Sequence, residues 1–337
     1  MPEYGIGILG ASHYLPERIQ TNEELCQVIK DVSPEWIITK TGIKRRYIAS
    51  EKDSSSSMST LSAEKLLKEK NISPDEIDLI IVASFSPDYM FPPVSAKIQQ
   101  NLKAKNAQII DINTNCTGFV TALTIASDRM LVDSTVKYAL VIGVELHTRY
   151  INPQDKETAI FFSDGAGVAL LGRVKKGFGV INSKFLTDSS TYEAVRFRGG
   201  GSSYPLMHRS FNPDIDYIEM NGLATWKQAI TNLPKVIKDL LIKSDTKIED
   251  IDYCIFHQAN LNLIQYIMSK LKIPLEKTYT NVEEIGNTGS ASVGIALSEA
   301  MQLGKIKPGQ TVLLAGVGAG FNFGASLWKF DKIIHST

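Results

Sequence analysis

The stretch Ile77-Asp78-Leu79-Ile80-Ile81-Val82 returns later in the chain as Ile251-Asp252-Tyr253-Cys254-Ile255-Phe256. Each copy is a short apolar run entered through an aspartate, the pattern of a buried strand. Cys116 follows Asp78 by 38 residues, and Ser290 follows Asp252 by the same 38. Both positions mark a passage into helix: Phe119, Leu123, Ala126 and Met130 recur at helical spacing after the first, and Val293, Leu297, Ala300 and Met301 after the second. Each helix then gives way to an apolar strand that reaches glycine, Tyr138 to Gly143 and Thr311 to Gly316. A duplication of roughly 170 residues, too long for a solenoid unit and about one domain in size, predicts two alike α/β halves. Their expected extents are residues 1–175 and 176–337.

Within the first copy, Ile109-Ile110-Asp111-Ile112-Asn113-Thr114-Asn115-Cys116-Thr117-Gly118-Phe119-Val120 runs from apolar strand through the cysteine into the helix. A cysteine at a helix N-terminus meets free N–H groups and the positive end of the dipole, which favour thiolate over thiol. The stretch alone leaves two readings open, an activated nucleophile or a small buried hydrophobe.

Composition narrows the class. The chain has 337 residues, 43% hydrophobic and 21% charged, as expected of a globular protein long enough for two cores. Lys plus Arg and Asp plus Glu both number 36, so no net field recommends nucleic acid or an anionic membrane. The three cysteines, Cys26, Cys116 and Cys254, lack metal-ligand spacing and form an odd set, which suits a reducing compartment and predicts neither a disulfide framework nor structural zinc. No window reaches about 18 uninterrupted apolar residues, and the N-terminus lacks a basic segment leading into a long apolar run. The expected location is the cytoplasm.

Other segments fill in the organisation. Tyr4 to Ala11 reads as a strand, and Thr21 caps a helix opening at Asn22-Glu23-Glu24. Trp36 to Ile43, followed by Lys44-Arg45-Arg46, reads either as an aromatic and cations that hold an adenine and its phosphates or as a solvated basic turn with a core tryptophan. Ser54 to Ser57 reads as a mobile loop ending in a cap for a helix over Leu61 to Lys70. Phe161 to Leu171 is a turn entering a strand, and Gly199 to Gly201 is expected to be a flexible surface loop because it lacks the ending and context of a phosphate loop. Thr225 to Leu241 reads as a core-facing helix kinked at Pro234.

His257 ends the second buried strand, in Phe256-His257-Gln258-Ala259-Asn260, ahead of an amphipathic helix marked by Leu261, Ile264, Met268 and Leu271. His13, His147, His208 and His335 have no evident task. Asn287, in Gly286-Asn287-Thr288-Gly289-Ser290, lies just ahead of the helix equivalent to the one after Cys116. Packing about a pseudo-twofold axis would therefore bring Cys116, His257 and Asn287 into one cavity. The small residues of Gly316-Val317-Gly318-Ala319-Gly320-Phe321 would let a backbone N–H, with that of Cys116, form an oxyanion hole.

Taken together, Trp36 to Arg46, Phe91-Pro92, Asn115-Cys116-Thr117-Gly118-Phe119, Asp164-Gly165-Ala166-Gly167, His257 to Asn260, Gly286-Asn287-Thr288 and the terminal glycine loop resemble the thiolase-fold condensing enzymes, specifically the 3-oxoacyl-acyl-carrier-protein synthase III family. The resemblance covers nearly the whole chain. It implies a thiolase-like five-layer αβαβα sandwich in which Cys116 accepts an acyl group from coenzyme A and His257 with Asn287 stabilises the enolate formed as a malonyl thioester loses carbon dioxide. The Cys116 and Ala319 backbones would form the oxyanion hole. Substrate binding would fall to Trp36, Lys40, Lys156, Asn260, Phe91 and Val317, with Phe91 reaching across a homodimer. Lys227 and Lys270 would dock acyl carrier protein, and neither a metal nor a cofactor is expected beyond the coenzyme A thioester substrate.

The chain also departs from the family pattern. Lys40 and Lys156 stand where arginines usually help hold coenzyme A, and Asn262 replaces an arginine that commonly helps dock the carrier. Lysine lacks the planar fork of arginine, so bidentate phosphate contacts are lost. Thr117 and Val317 are less usual beside the nucleophile. The first expectation is a decarboxylating condensing enzyme. The alternatives are acyl transfer or condensation with another acceptor or without decarboxylation, and a non-catalytic scaffold.

Overall fold

The computed structural model describes residues 3–207 and 209–331, so His208 and His335 lie outside the described residues. Up to Lys175 the chain forms β1 (Tyr4–Tyr14), β2 (Arg18–Thr21), α1 (Asn22–Cys26), α2 (Pro34–Thr41), β3 (Arg45–Ile48), α3 (Ser55–Lys70), β4 (Leu79–Ala83), α4 (Val94–Leu102), β5 (Gln108–Ile112), α5 (Gly118–Val132), β6 (Ala139–Leu146) and β7 (Asp164–Lys175). From Gly179 it forms β8 (Gly179–Thr187), β9 (Val195–Phe197), β10 (Ile218–Met220), α6 (Gly222–Lys243), β11 (Tyr253–Phe256), α7 (Leu261–Leu271), α8 (Val282–Ile285), α9 (Ser292–Gln302), β12 (Thr311–Gly318) and β13 (Asn322–Lys329).

Two sheets carry the architecture. One has the order β1-β7-β6-β4-β5, the other β11-β12-β13-β8. The repeated run supplies equivalent strands: β4 pairs in parallel with β6, as β11 does with β12. Even the entry aspartates do the same work. Asp78 Oδ2 accepts the Lys137 N–H at 2.7 Å, and Asp252 Oδ2 accepts the Thr311 N–H at 2.8 Å, each locking the start of the neighbouring strand.

Alternation along these strands explains the layers, because successive side chains point to opposite faces. Leu79 and Ile81 of β4 join Ile255 of β11 and Leu314 of β12 around the two central helices, with Phe119, Leu123 and Met130 from α5 and Val293 and Leu297 from α9. Ile80 and Val82 face outward onto Leu66 of α3 and Ile98 of α4. Cys254 and Phe256 face outward onto Ile237 of α6 and Ile264 and Met268 of α7. The result is the five-layer αβαβα sandwich that the resemblance implied.

Several local expectations change. The serine run is not a loop: Ser54 caps α3, accepting the Ser57 N–H at 3.1 Å while Ser57 Oγ accepts the Ser54 N–H at 2.8 Å, so helix begins at Ser55 rather than Leu61. Helix α6 continues through Pro234 without interruption. The run Lys44-Arg45-Arg46 is only in part a solvated basic turn, for Lys44 is exposed while Arg45 begins β3. Arg46 is buried and donates to Asn22 Oδ1 at 2.8 Å and Ile160 O at 3.2 Å, while Lys44 and Arg45 both pair with Glu284.

Candidate active site

The two strand-to-helix junctions are packed crosswise. A Cβ at Gly143 of β6 would lie 2.3 Å from Ser290 O, and one at Gly318 of β12 would lie 2.5 Å from Thr114 O and 3.0 Å from Cys116 N. Each junction thus rests on the glycine-bearing strand of the opposite sheet, where only a missing side chain allows backbone to approach backbone. This crossing brings Cys116, in the 3₁₀ turn Asn115–Thr117 just ahead of α5, against the end of β11, where His257 sits.

Cys116, His257 and Asn287 line one cavity of about 120 Å³. A second, larger cavity of about 580 Å³ also reaches Cys116. Cys116, Phe162, Val195 and Ala319 belong to both walls, so the sulfur stands at the seam between two chambers.

Hydrogen bonding orients the two partners of the cysteine. Ser292 Oγ accepts the Gln258 N–H at 3.2 Å and lies 2.7 Å from His257 Nδ1. We assign the serine hydrogen to Nδ1, which places the imidazole proton on Nε2, facing the chamber. Burial pushes the His257 pKa down to about 4, so the ring is neutral at physiological pH. Asn287 Oδ1 accepts the Gly289 N–H at 2.9 Å, leaving its NH₂ as the free end. The chamber thus holds two neutral donors.

The cysteine meets opposing influences at the start of α5. Burial, and then the charge of Glu145, push its thiol up from 9.0 to about 12. The resting group is a thiol. Cys254 is fully buried in the outer core, with its thiol also pushed up to about 12 by burial, and serves only packing.

Family models match residues 110–189 as 3-oxoacyl-[acyl-carrier-protein (ACP)] synthase III and residues 241–330 as the C-terminal part of that enzyme. The beta-ketoacyl-[acyl-carrier-protein] synthase III of Caldanaerobacter subterraneus is 38% identical over 326 residues, covering 97% of this chain and 98% of the relative. The chain belongs to the 3-oxoacyl-acyl-carrier-protein synthase III family. The Aquifex aeolicus synthase III structure superposes with a TM-score of 0.88 at 35% identity, over 97% of this chain and all of that one, 100%. A priming β-ketosynthase of a polyketide pathway superposes with a TM-score of 0.91 at 28% identity, covering 98% of both chains. The chain is therefore a thiolase-fold acyltransferase of the condensing type.

Not every residue expected from the synthase III resemblance meets the chambers. Asn260 and Val317 line the first, and Asn260 also caps α7 by accepting the Leu263 N–H at 2.8 Å. Trp36 and Lys40 lie on α2, outside both walls, with Lys40 Nζ 5.9 Å above the Trp36 ring. Asn262, at the start of α7, donates to Thr39 O and Lys40 O, each at 3.0 Å, and so fastens α2 beside the first chamber. Lys156, Lys227 and Lys270 are exposed and line neither cavity. Phe91 is 86% exposed, and its neighbours Tyr89 and Met90 line the second chamber. Gly199 to Gly201 form part of that chamber's wall rather than a plain surface loop.

Two residues of the second chamber had no role in the sequence reading. Glu145 is fully buried and accepts from Ser86 Oγ at 2.7 Å, Ser84 Oγ at 3.3 Å and the Phe85 N–H at 3.3 Å. His147 stacks on Phe162 at 4.6 Å and is neutral, because burial pushes its pKa down to about 3. The available signal was a charged residue inside the otherwise apolar run Ala139 to Leu146. Among the described residues, no three His, Cys, Asp or Glu side chains converge as a metal site requires, and no helix is long and apolar enough to cross a membrane.

Proposed function

We propose that Cys116, His257 and Asn287 perform the decarboxylative condensation of this family, joining an acyl thioester to a malonyl thioester to give a 3-oxoacyl thioester for fatty-acid synthesis. The observation that carries the assignment is the sulfur at the seam of two chambers, with two oriented neutral donors in one of them. In the first half-reaction Cys116 attacks the acyl thioester, the acyl group enters the second chamber, and coenzyme A leaves through the first. Covalent storage of the acyl group divides a difficult condensation into two easier steps.

In the second half-reaction a malonyl thioester occupies the first chamber. Loss of carbon dioxide builds negative charge on its thioester oxygen, and His257 Nε2–H and the Asn287 NH₂ donate to that oxygen. Because the charge grows toward the transition state, these donors stabilise it more than the ground state. The resulting carbanion attacks the acyl carbon on Cys116, whose tetrahedral oxyanion is held by the backbone N–H groups of Cys116 and Ala319. Neutral donors suit this step, since a carboxylate at either place would repel the enolate. A non-decarboxylating condensation would place the same enolate charge on these donors and would need in addition a base to remove the α-proton.

Several finer assignments belong to the same reading. The malonyl group arrives on acyl carrier protein, met by the exposed cations Lys227 and Lys270, while Trp36, Lys40 and Lys156 hold coenzyme A, which acts as substrate rather than cofactor. Phe91 closes the acyl chamber of a second copy in a cytoplasmic homodimer; its exposure supports that assignment. Residues 1–175 and 176–337 form the two halves, because the strands of the five-stranded sheet precede the turn at 176–178 and those of the four-stranded sheet follow it.

Intact-protein mass spectrometry after exposure to a panel of acyl-coenzyme A thioesters tests the assignment. A single acyl adduct mapped to Cys116, discharged by malonyl thioester with release of carbon dioxide, is the expected result. An adduct confined to Cys26, or none discharged by malonyl thioester, would contradict it.

A further inference from the structure

Acylation requires the Cys116 thiol to lose its proton, and most groups around it are unsuited to accept one. With Ser292 assigned as the donor to Nδ1, His257 presents Nε2–H to the chamber and has no free lone pair there. His147 stacks on Phe162, lies tilted against Phe85, and is too weak a base, burial having pushed its pKa down to about 3. The phenol of Tyr150 on the second wall is pushed up by burial and by Glu145, so its ionised form is not available either. Asp88 is engaged by the Ser56 N–H at 2.9 Å and by Ser56 Oγ, and Arg196 pairs with Glu193 and Glu219. On β7, the strand packed beside Glu145, Asp164 is committed to Thr148 and the Ala49 N–H.

Glu145 remains. We infer that its carboxylate is the proton store for Cys116, taking the thiol proton during acylation and returning it after condensation. This rests on the functional reading above. Three placements support it. Glu145 lines the chamber that Cys116 also lines. It adjoins the Asn287 turn, since a Cβ at Gly289 would stand 3.0 Å from its Cγ. Its serine and backbone partners are all donors, so they hold it ready as a carboxylate while no described cation neutralises it. Burial raises its pKa to about 7, against those hydrogen bonds, which matches a group that must both accept and release a proton near neutral pH.

The cycle balances. In acylation the Sγ–H bond breaks and its proton passes to Glu145; the sulfur pair forms the bond to the thioester carbon, and coenzyme A leaves as a thiolate that takes a proton from solvent. In condensation the malonyl carboxylate departs as carbon dioxide, and its electron pair forms the new carbon–carbon bond. The bond from the acyl carbon to Cys116 then breaks, and the sulfur regains its proton from Glu145. One proton is drawn from solvent per turnover, as loss of a carboxylate as neutral carbon dioxide demands.

The test is the rate of Cys116 acylation by acetyl-coenzyme A, read by mass spectrometry of rapidly quenched samples from about pH 5.5 to about pH 9. The parent should rise through about pH 7 to a plateau, since Glu145 must be ionised to accept. Glu145→Gln should be slower by roughly 10²-fold at pH 7 and recover about tenfold per pH unit as the thiol ionises to solvent instead. A parent-like profile, or the same fractional loss at every pH, would overturn the inference. Ser86→Ala supplies a second arm should the first variant not fold: losing a donor raises the Glu145 pKa, so the acidic limb should move to higher pH, and an unmoved limb counts against the idea. A parent that forms no adduct on Cys116 with any thioester overturns the functional reading itself.

Discussion

The two junctions share a plan and differ in what they open onto. Asn113-Thr114-Asn115-Cys116 stands in the first copy where Asn287-Thr288-Gly289-Ser290 stands in the second. Ser290 is fully buried, its hydroxyl donating to Ala83 O at 2.8 Å, and it stitches the sheets together. Cys116 occupies the same place but keeps partial exposure at the seam of two chambers. The asparagines are reversed: Asn113 is exposed, while Asn287 is buried with its amide oriented by Gly289. Duplication therefore supplies two equal scaffolds. One junction carries the nucleophile, while the other supplies the Asn287 donor and, through Ser290, braces the sheets.

Exchange of the two junction residues gives the largest expected contrast. Cys116→Ser should reduce acyl transfer to background, because a hydroxyl is far less readily ionised than a thiol. Ser290→Cys should create no second acylation site, since Ser290 lines neither of the two chambers. Adduct mapping by mass spectrometry reads both variants, and an acylated residue 290 would break the distinction between the junctions.

The paired glycines sharpen the same comparison. Gly318→Ala places a methyl against Thr114 O and Cys116 N and should cost acylation roughly 10²-fold through misplacement of the nucleophile. Gly143→Ala meets Ser290 O instead and should cost about 1–3 kcal/mol of stability by overpacking. Thermal unfolding and acylation rate, measured on both, separate the two effects.

Next in size are the donors. His257→Ala and Asn287→Ala should each slow malonyl decarboxylation by roughly 10²-fold or more while affecting self-acylation less. Asn287→Asp should be worse than its size suggests, because the carboxylate opposes the enolate. Ser292→Ala frees His257 Nδ1 without removing the donor and should cost less, about tenfold, with decarboxylation rates again the measure. The smallest effect is expected at the surface: Lys227→Glu should lower turnover with carrier-bound malonyl by several-fold and spare acylation from coenzyme A. Equal losses with both thioester forms across a salt series would move the docking surface elsewhere.

Much of this plan was legible in the sequence because it depended on periodicity and repetition. The repeated strand run, the equal spacing to Cys116 and Ser290, and the helical faces after them predicted two halves and their layered packing. The meeting of Cys116, His257 and Asn287 in one chamber followed from that symmetry. What could not be read were features set by contacts distant in sequence. The Glu145 carboxylate acquires meaning only when Ser84, Ser86 and the Gly289 turn surround it. Likewise, Arg46 looked like a solvated cation until Asn22 and Ile160 enclosed it, and the serine run looked like a loop because Ser, a weak helix former, is also a strong cap.

Adduct mapping on the parent protein tests the central claim most directly. After incubation with acetyl-coenzyme A, intact mass and peptide analysis should show one acetyl group, on Cys116, and malonyl thioester should remove it as a 3-oxoacyl product forms. An acetyl group on another residue with Cys116 unmodified, or an adduct on Cys116 that malonyl thioester leaves in place, would contradict the account.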